Sequence, residues 1–157
     1  MGKAGTDKKL IGPLTSCILP LIFLRHAQGH QMQRAFVNLL TSSVTSAATF
    51  YEDLLGMTRH YDSDWFIILT HPDIHGLEYG LLQRDHVIVP SSVQSPPTGV
   101  MMTFVVEDCD AIHHRAQSMG AEIIEPPTDM PYGQRRMLLR DRDGTVLDIS
   151  APTAPLR

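Results

Sequence analysis

The stretch PYGQRRMLLRDRDGTVLDIS, residues 131–150, reads as two strands joined by a tight turn. RRMLLR at 135–140 and TVLDIS at 145–150 are the apolar-rich strands. Asp141-Arg142-Asp143-Gly144 between them carries turn chemistry, with the final glycine taking the positive φ. Working upstream, a short strand is predicted at about 122–125, and Gly120 ends a helix that Asp108 caps. Ala111, Ile112, Ala116 and Met119 form the predicted buried stripe of that helix, and MMTFVV at 101–106 is the strand before it.

The same order occurs once before. AFVNLLT at 35–41 is a strand, and Ser43 or Thr45 caps a helix with Phe50, Tyr51, Leu54 and Leu55 on its apolar side. Gly56 stops that helix. Strands are predicted at 57–62, 65–70 (WFIILT) and 77–83 (LEYGLLQ), with turns at Ser63-Asp64 and at HPDIHG, 71–76. PSSVQSPPTG at 90–99 is an irregular linker. The fold class is therefore α+β: two βαβββ units, about 35–83 and 100–151, in one domain over 32–152, with 153–157 as a tail. A repeat of this kind means two like units that bury their apolar faces together, with any ligand site shared between them.

The 157 residues are enough for one ordinary core, and 43% hydrophobic with 19% charged residues is a globular composition. A formal charge of −4 leaves no global electrostatic footprint for nucleic acid or an anionic membrane. Cys17 and Cys109 do not make a disulfide framework, so a reducing cytoplasm is the default compartment. Cys109 stands in the first turn of a helix, where a thiol can be activated; the alternative is a small half-buried residue without chemistry.

Residues 1–31 read as an extension outside the repeated domain, or as translation begun upstream of Met32. LIGPLTSCILPLIFL at 10–24 is apolar but short for a membrane span and is interrupted by Pro13 and Pro20. It has the outline of a secretory signal, yet Arg25 stands where a small residue is wanted for cleavage. His26 and His30 earn no metal assignment.

The pieces FYEDLLGM at 50–57 and PYGQRRMLLRDRDGTVLDIS at 131–150 resemble the vicinal oxygen chelate superfamily, which includes glyoxalase I, bleomycin-resistance proteins and extradiol dioxygenases. The resemblance covers about residues 35–152. It implies two units whose mixed sheets curl around one cleft, often within a homodimer. It also implies a divalent metal held by side chains from the first and last strand of each unit, commonly His and Glu. In this chain those positions fall on Phe36, near Gly80, on Met101 and on Asp148, and a register slip of two would bring in Glu78. One carboxylate, or at best Glu78 and Asp148 together, is poor ligation for a catalytic transition metal. No metal or other cofactor is therefore expected. His71 and His75 flank a turn and His113 and His114 are helix neighbours; neither pair makes a site.

Alternation puts Phe36, Asn38, Leu40, Met101, Thr103 and Asp148 on the cleft face, with Trp65, Tyr132, Arg84 and Arg135 near its rim. His86 is weighed with Arg84 as a contact for a polar ligand group, against a solvated strand end with a local ion pair. Asp148 is the candidate catalytic group, with a carboxyl raised by an apolar cleft; alternatively Arg135 or Arg136 satisfies it. Phe36 and Met101 either line an open cleft or meet and fill it.

Three functions follow. The first is a metal-independent protein that binds a small apolar or aromatic molecule, with sequestration as one version. The second is a glyoxalase-like lyase, isomerase or dioxygenase with a rearranged metal site. The third is an interaction module with a filled cleft.

Overall fold

A computed structural model describes residues 32–153, and the readings made on residues 1–31 and on the end of the tail lie outside them. Both units lie in the body that begins at Arg34. Strand β1 (Val37–Thr41), helix α1 (Val44–Leu55) and strands β2 (Thr58–Asp62), β3 (Phe66–His71) and β4 (Ile74–Gln83) form the first. A short 3-10 turn at Ser91–Val93 interrupts the linker. Strand β5 (Met101–Val105), helix α2 (Cys109–Ser118) and strands β6 (Glu122–Met130), β7 (Gln134–Arg140) and β8 (Val146–Pro152) form the second.

The two sheets have orders β1-β4-β3-β2 and β5-β8-β7-β6. In each, the first strand lies parallel to the last and the other neighbours are antiparallel. The predicted α+β repeat is therefore present as two four-stranded mixed sheets. They do not merge into one curled sheet, because β1 and β5 form no ladder with each other. The units meet through side chains: Phe104 of β5 lies against Tyr79 of β4 and Tyr51 of α1, with ring centroids 5.8 and 6.5 Å apart.

Both helices obey their local signals. The Ser43 side chain accepts from the N–H of Ser46, and Asp108 caps α2 by accepting from Ala111 N–H at 3.0 Å. Gly56 stops α1 at φ 70°. Past α2, Gly120 takes φ 68° and Ala121 N–H returns to Ala116 O, the pattern of a Schellman stop. The buried stripe of α2 is Cys109, Ile112 and Ala116; Ala111, predicted to join it, is exposed. Cys109 has that place because 109, 112 and 116 share a helical face and 111 does not. Its thiol is buried and donates to Ile149 O at 3.5 Å. Burial pushes the thiol pKa up, so the helix start does not activate it.

Two strands outrun their predicted limits. β4 begins at Ile74, so the turn after β3 is only Pro72-Asp73. β6 runs to Met130 despite Pro126 and Pro127, where its register with β7 breaks. As an outer edge strand it needs N–H donors on one side only, which is where proline is tolerated.

One core spans both units, with α1, Ile67, Leu69, Tyr79 and Leu81 joined to α2, Met137, Leu139, Leu147 and Ile149. Burying each such large side chain contributes about 1.5–3 kcal/mol. The Asp141–Gly144 turn adds a polar clasp. Asp141 Oδ1 accepts from the N–H groups of Asp143 and Thr145, shaping the turn, while Oδ2 accepts from Tyr51 O–H at 2.8 Å. Tyr79 O–H donates in turn to Tyr51 at 3.0 Å. Asp143 accepts from Thr41 Oγ1 and from Ser42 N–H. The turn that makes the second unit thus also holds it to the first.

Burial raises the pKa of both Tyr51 and Tyr79 above the usual tyrosine value. The folded chain then keeps protons that the unfolded chain loses above about pH 10, so stability is full below that pH and falls as pH rises past it. Tyr79→Phe should flatten this alkaline decline in a urea-unfolding series from pH 8 to 11. An unchanged slope would mean that Tyr79 does not titrate differently on folding.

Candidate functional site

Each sheet turns one face to the common core and the other outward. Pairing puts Asn38, Gly80 and Ile68 in one row of the first outer face, and Leu40, Leu82 and Phe66 in the next. On the second outer face, Thr103, Asp148 and Leu138 form a row between Met101-Val146-Arg140 and Val105-Ser150-Arg136. By the repeat, Asn38 and Gly80 occupy the places that Thr103 and Asp148 hold in the second unit. The five predicted residues Asn38, Leu40, Met101, Thr103 and Asp148 therefore lie on outer faces of the first and last strands, as alternation requires.

Phe36 stands just before β1, with the Arg34 guanidinium 4.6 Å from its ring centroid. Phe36 is 38% exposed and Met101 49%, so neither is packed into a closed plug. Glu78 is engaged: Arg34 Nε and Nη2 reach its carboxylate at 2.5 and 2.8 Å. That hydrogen-bonded guanidinium holds the Glu78 carboxyl below its ordinary pKa.

The rim residues separate. Trp65 stacks on His86, with centroids 4.5 Å apart and planes 9° from parallel. Arg84 lies 3.7 Å from Asp143 in the clasp between the units, and Tyr132 is exposed in the turn after β6. Arg135 is on the opposite face of β7 from Asp148, where it pairs with Asp110 of α2 at 2.6 Å and with Asp129 at 2.9 Å. It is not a rim residue of this face. Arg136, one residue along, points the other way, and its Nε lies 3.1 Å from Asp148 Oδ1. That is ion-pair distance, although the atoms are not aligned as a hydrogen bond. Thr103 Oγ1 lies 3.5 Å from Asp148 Oδ2, and Arg136 Nη2 lies 3.7 Å from Met101 Sδ.

These residues do not fit the divalent metal of the metalloenzymes that the chain resembles. A transition-metal site wants several imidazole, thiolate or carboxylate donors converging on one point. Here one of four places is a carboxylate, and a guanidinium already balances it. In the first unit the corresponding place has no side chain at all: a Cβ built on Gly80 would lie 2.0 Å from Asn38 Oδ1 and 3.0 Å from Val37 O. Among the described residues, no three His, Cys, Asp or Glu side chains gather in a way that could hold an ion. Gly80→Ala should cost about 1–3 kcal/mol by urea unfolding, because the Asn38 amide must move. Asn38→Ala should recover part of that loss, and no recovery would show that the Val37 carbonyl is the obstacle.

A groove of about 560 Å³ opens where the edge of β5 approaches the start of β4. Val37, Leu55, Leu77, Tyr79, Met102 and Phe104 are among its lining residues. Sequence reasoning missed it, since alternation assigns Met102 and Phe104 to the core side and only the approach of the two sheets leaves them half open. A second groove, of about 660 Å³, lies between α1 and the start of β6 and is walled largely by polar groups such as Thr45, Thr49, Glu122 and Arg142. The first is the more suitable for an organic ligand, having an apolar wall with few polar groups. It meets the outer-face residues at Thr103 and Glu78.

Among the described residues no helix is long and apolar enough to cross a membrane. The sequence profile of the Glyoxalase/Bleomycin resistance protein/Dioxygenase superfamily matches residues 33–149. "Putative glyoxylase CFP32" of Mycobacterium tuberculosis is 28% identical over 121 residues, which is 73% of this chain and 42% of that protein. The chain thus spans less than half the length of this curated relative. A glyoxalase-related enzyme from Fulvimarina pelagi has a similar fold, with TM-score 0.65, 19% identity, and coverage of 81% of this chain and 94% of that one. A glyoxalase/bleomycin resistance protein/dioxygenase family enzyme from Burkholderia phytofirmans gives TM-score 0.65 and 19% identity, covering 74% and 96%. Repeat, fold and profile agree: this chain belongs to the glyoxalase/bleomycin resistance protein/dioxygenase superfamily.

Proposed function

We propose that the chain is a metal-independent small-molecule-binding protein of the glyoxalase/bleomycin-resistance type, taking an apolar or aromatic compound at the outer faces and the groove beside them. The carrying observation is the Arg136–Asp148 pair: the one carboxylate at a family ligand position has a side-chain counter-ion. Gly80, filled by the Asn38 amide, supports the same reading from the other unit. An open apolar groove favours ligand binding over an interaction module with a filled cleft.

The metal-dependent lyase or dioxygenase reading would need Glu78 and Asp148 as ligands, and both are held by arginines. Location in the cytoplasm and assembly as a homodimer, as the family resemblance implies for the latter, belong to the same proposal. The test is thermal unfolding of the full chain with and without excess chelator. The proposal expects an unchanged midpoint, whereas a chelator-induced fall reversed by one divalent ion would overturn metal independence.

A further inference from the structure

The Arg136 and Asp148 side chains are only 19% and 13% exposed, although they lie on an outer sheet face. They therefore form part of the floor of that face and do not project from it. Their inner atoms are in ion-pair contact, with Nε 3.1 Å from Oδ1, without the alignment of a hydrogen bond. Their other atoms are under-used. Arg136 Nη2 has the thioether of Met101 at 3.7 Å, a weak acceptor. Asp148 Oδ2 receives the Thr103 hydroxyl at 3.5 Å, the limit of a hydrogen bond. A strong donor and a strong acceptor thus stand side by side, next to the exposed apolar side chains of Met101 and Val105.

We propose that this pair recognises a neutral polar group with adjacent donor and acceptor, such as a carboxamide, on a small apolar molecule. The inference rests on the small-molecule reading above and assigns the ligand's chemistry. A carboxamide gives its N–H to Asp148 Oδ2 and accepts from Arg136 Nη2, and it brings no net charge into a pair that is already neutral. A ligand carboxylate would meet Asp148, and a ligand ammonium would meet Arg136. Either would be repelled by one member while weakening its bond to the other. The body of the ligand lies over Met101 and Val105, and the flexible thioether adapts to a flat ring.

The test compares 1-naphthamide, 1-naphthoate and 1-naphthylmethylamine at pH 7, by calorimetric or NMR titration of the full chain. The amide should bind at least about tenfold more tightly than either charged analogue. Asp148→Asn leaves Arg136 unbalanced and should turn the preference to naphthoate; Arg136→Gln should turn it to the amine. Thr103→Val keeps the pair and should keep the wild-type order. Circular dichroism checks each fold, and if a charge variant does not fold, the wild-type order decides. Naphthoate or the amine binding the wild type as tightly as the amide, or a folded Asp148→Asn with an unchanged order, would overturn the inference and leave the small-molecule reading standing. If none of the three binds, that reading falls with it.

Discussion

Tyr51→Ala should destabilise the chain by about 4–6 kcal/mol, most of the stability of many small domains. Tyr51 is fully buried, with Phe50 and Tyr79 edge-on at 5.4 and 4.8 Å between ring centroids. Removing its ring leaves a cavity where the units meet. It also strips Asp141 of one hydrogen bond and Tyr79 of its acceptor. Tyr51→Phe keeps the ring and removes only the hydroxyl, so it should cost about 1–2 kcal/mol. Urea unfolding read from the midpoint separates the two effects. If alanine cost no more than phenylalanine, the ring would not be joining the units.

Arg136→Met should cost about 2–3 kcal/mol. Truncating one partner of a buried ion pair costs about 3–5 kcal/mol because the other charge is left behind, and partial exposure reduces that figure here. Asp148→Asn in the Arg136→Met background should then cost little or even restore stability, since the stranded carboxylate is gone. A double-mutant cycle by urea unfolding should show a coupling of about 1–3 kcal/mol. Strict additivity would mean that the 3.1 Å approach carries no energy, and Asp148 would then be open to another counter-ion.

The scaffold was legible because its signals are local. A Ser or Asp cap and a glycine at positive φ act within one turn of chain, so Ser43, Asp108, Gly56, Gly120 and Gly144 could be read one at a time. The outer-face residues were legible from period two alone. Arg135 and Arg136 show where that reasoning fails: they are chemically alike, and a shift of one residue exchanges the helix side for the outer side. The register of β7 against β8, which decides between them, is a tertiary fact. Trp65, Arg84 and Tyr132 lie outside the strands, so alternation says nothing about their partners. The groove was hidden for a similar reason, since it exists only because two sheets approach without pairing. Each unit's pattern describes its own sheet and not the seam between the two.

On the proposed reading, this chain keeps the doubled scaffold of its superfamily, and Arg136 balances Asp148 where the metalloenzymes that it resembles would hold a metal. Native mass spectrometry of the freshly purified full chain, with elemental analysis of the same sample after dialysis, tests it most directly. Less than stoichiometric transition metal is expected, with any mass above that of the polypeptide belonging to an organic ligand. One transition-metal ion per chain, lost on Asp148→Ala, would contradict it.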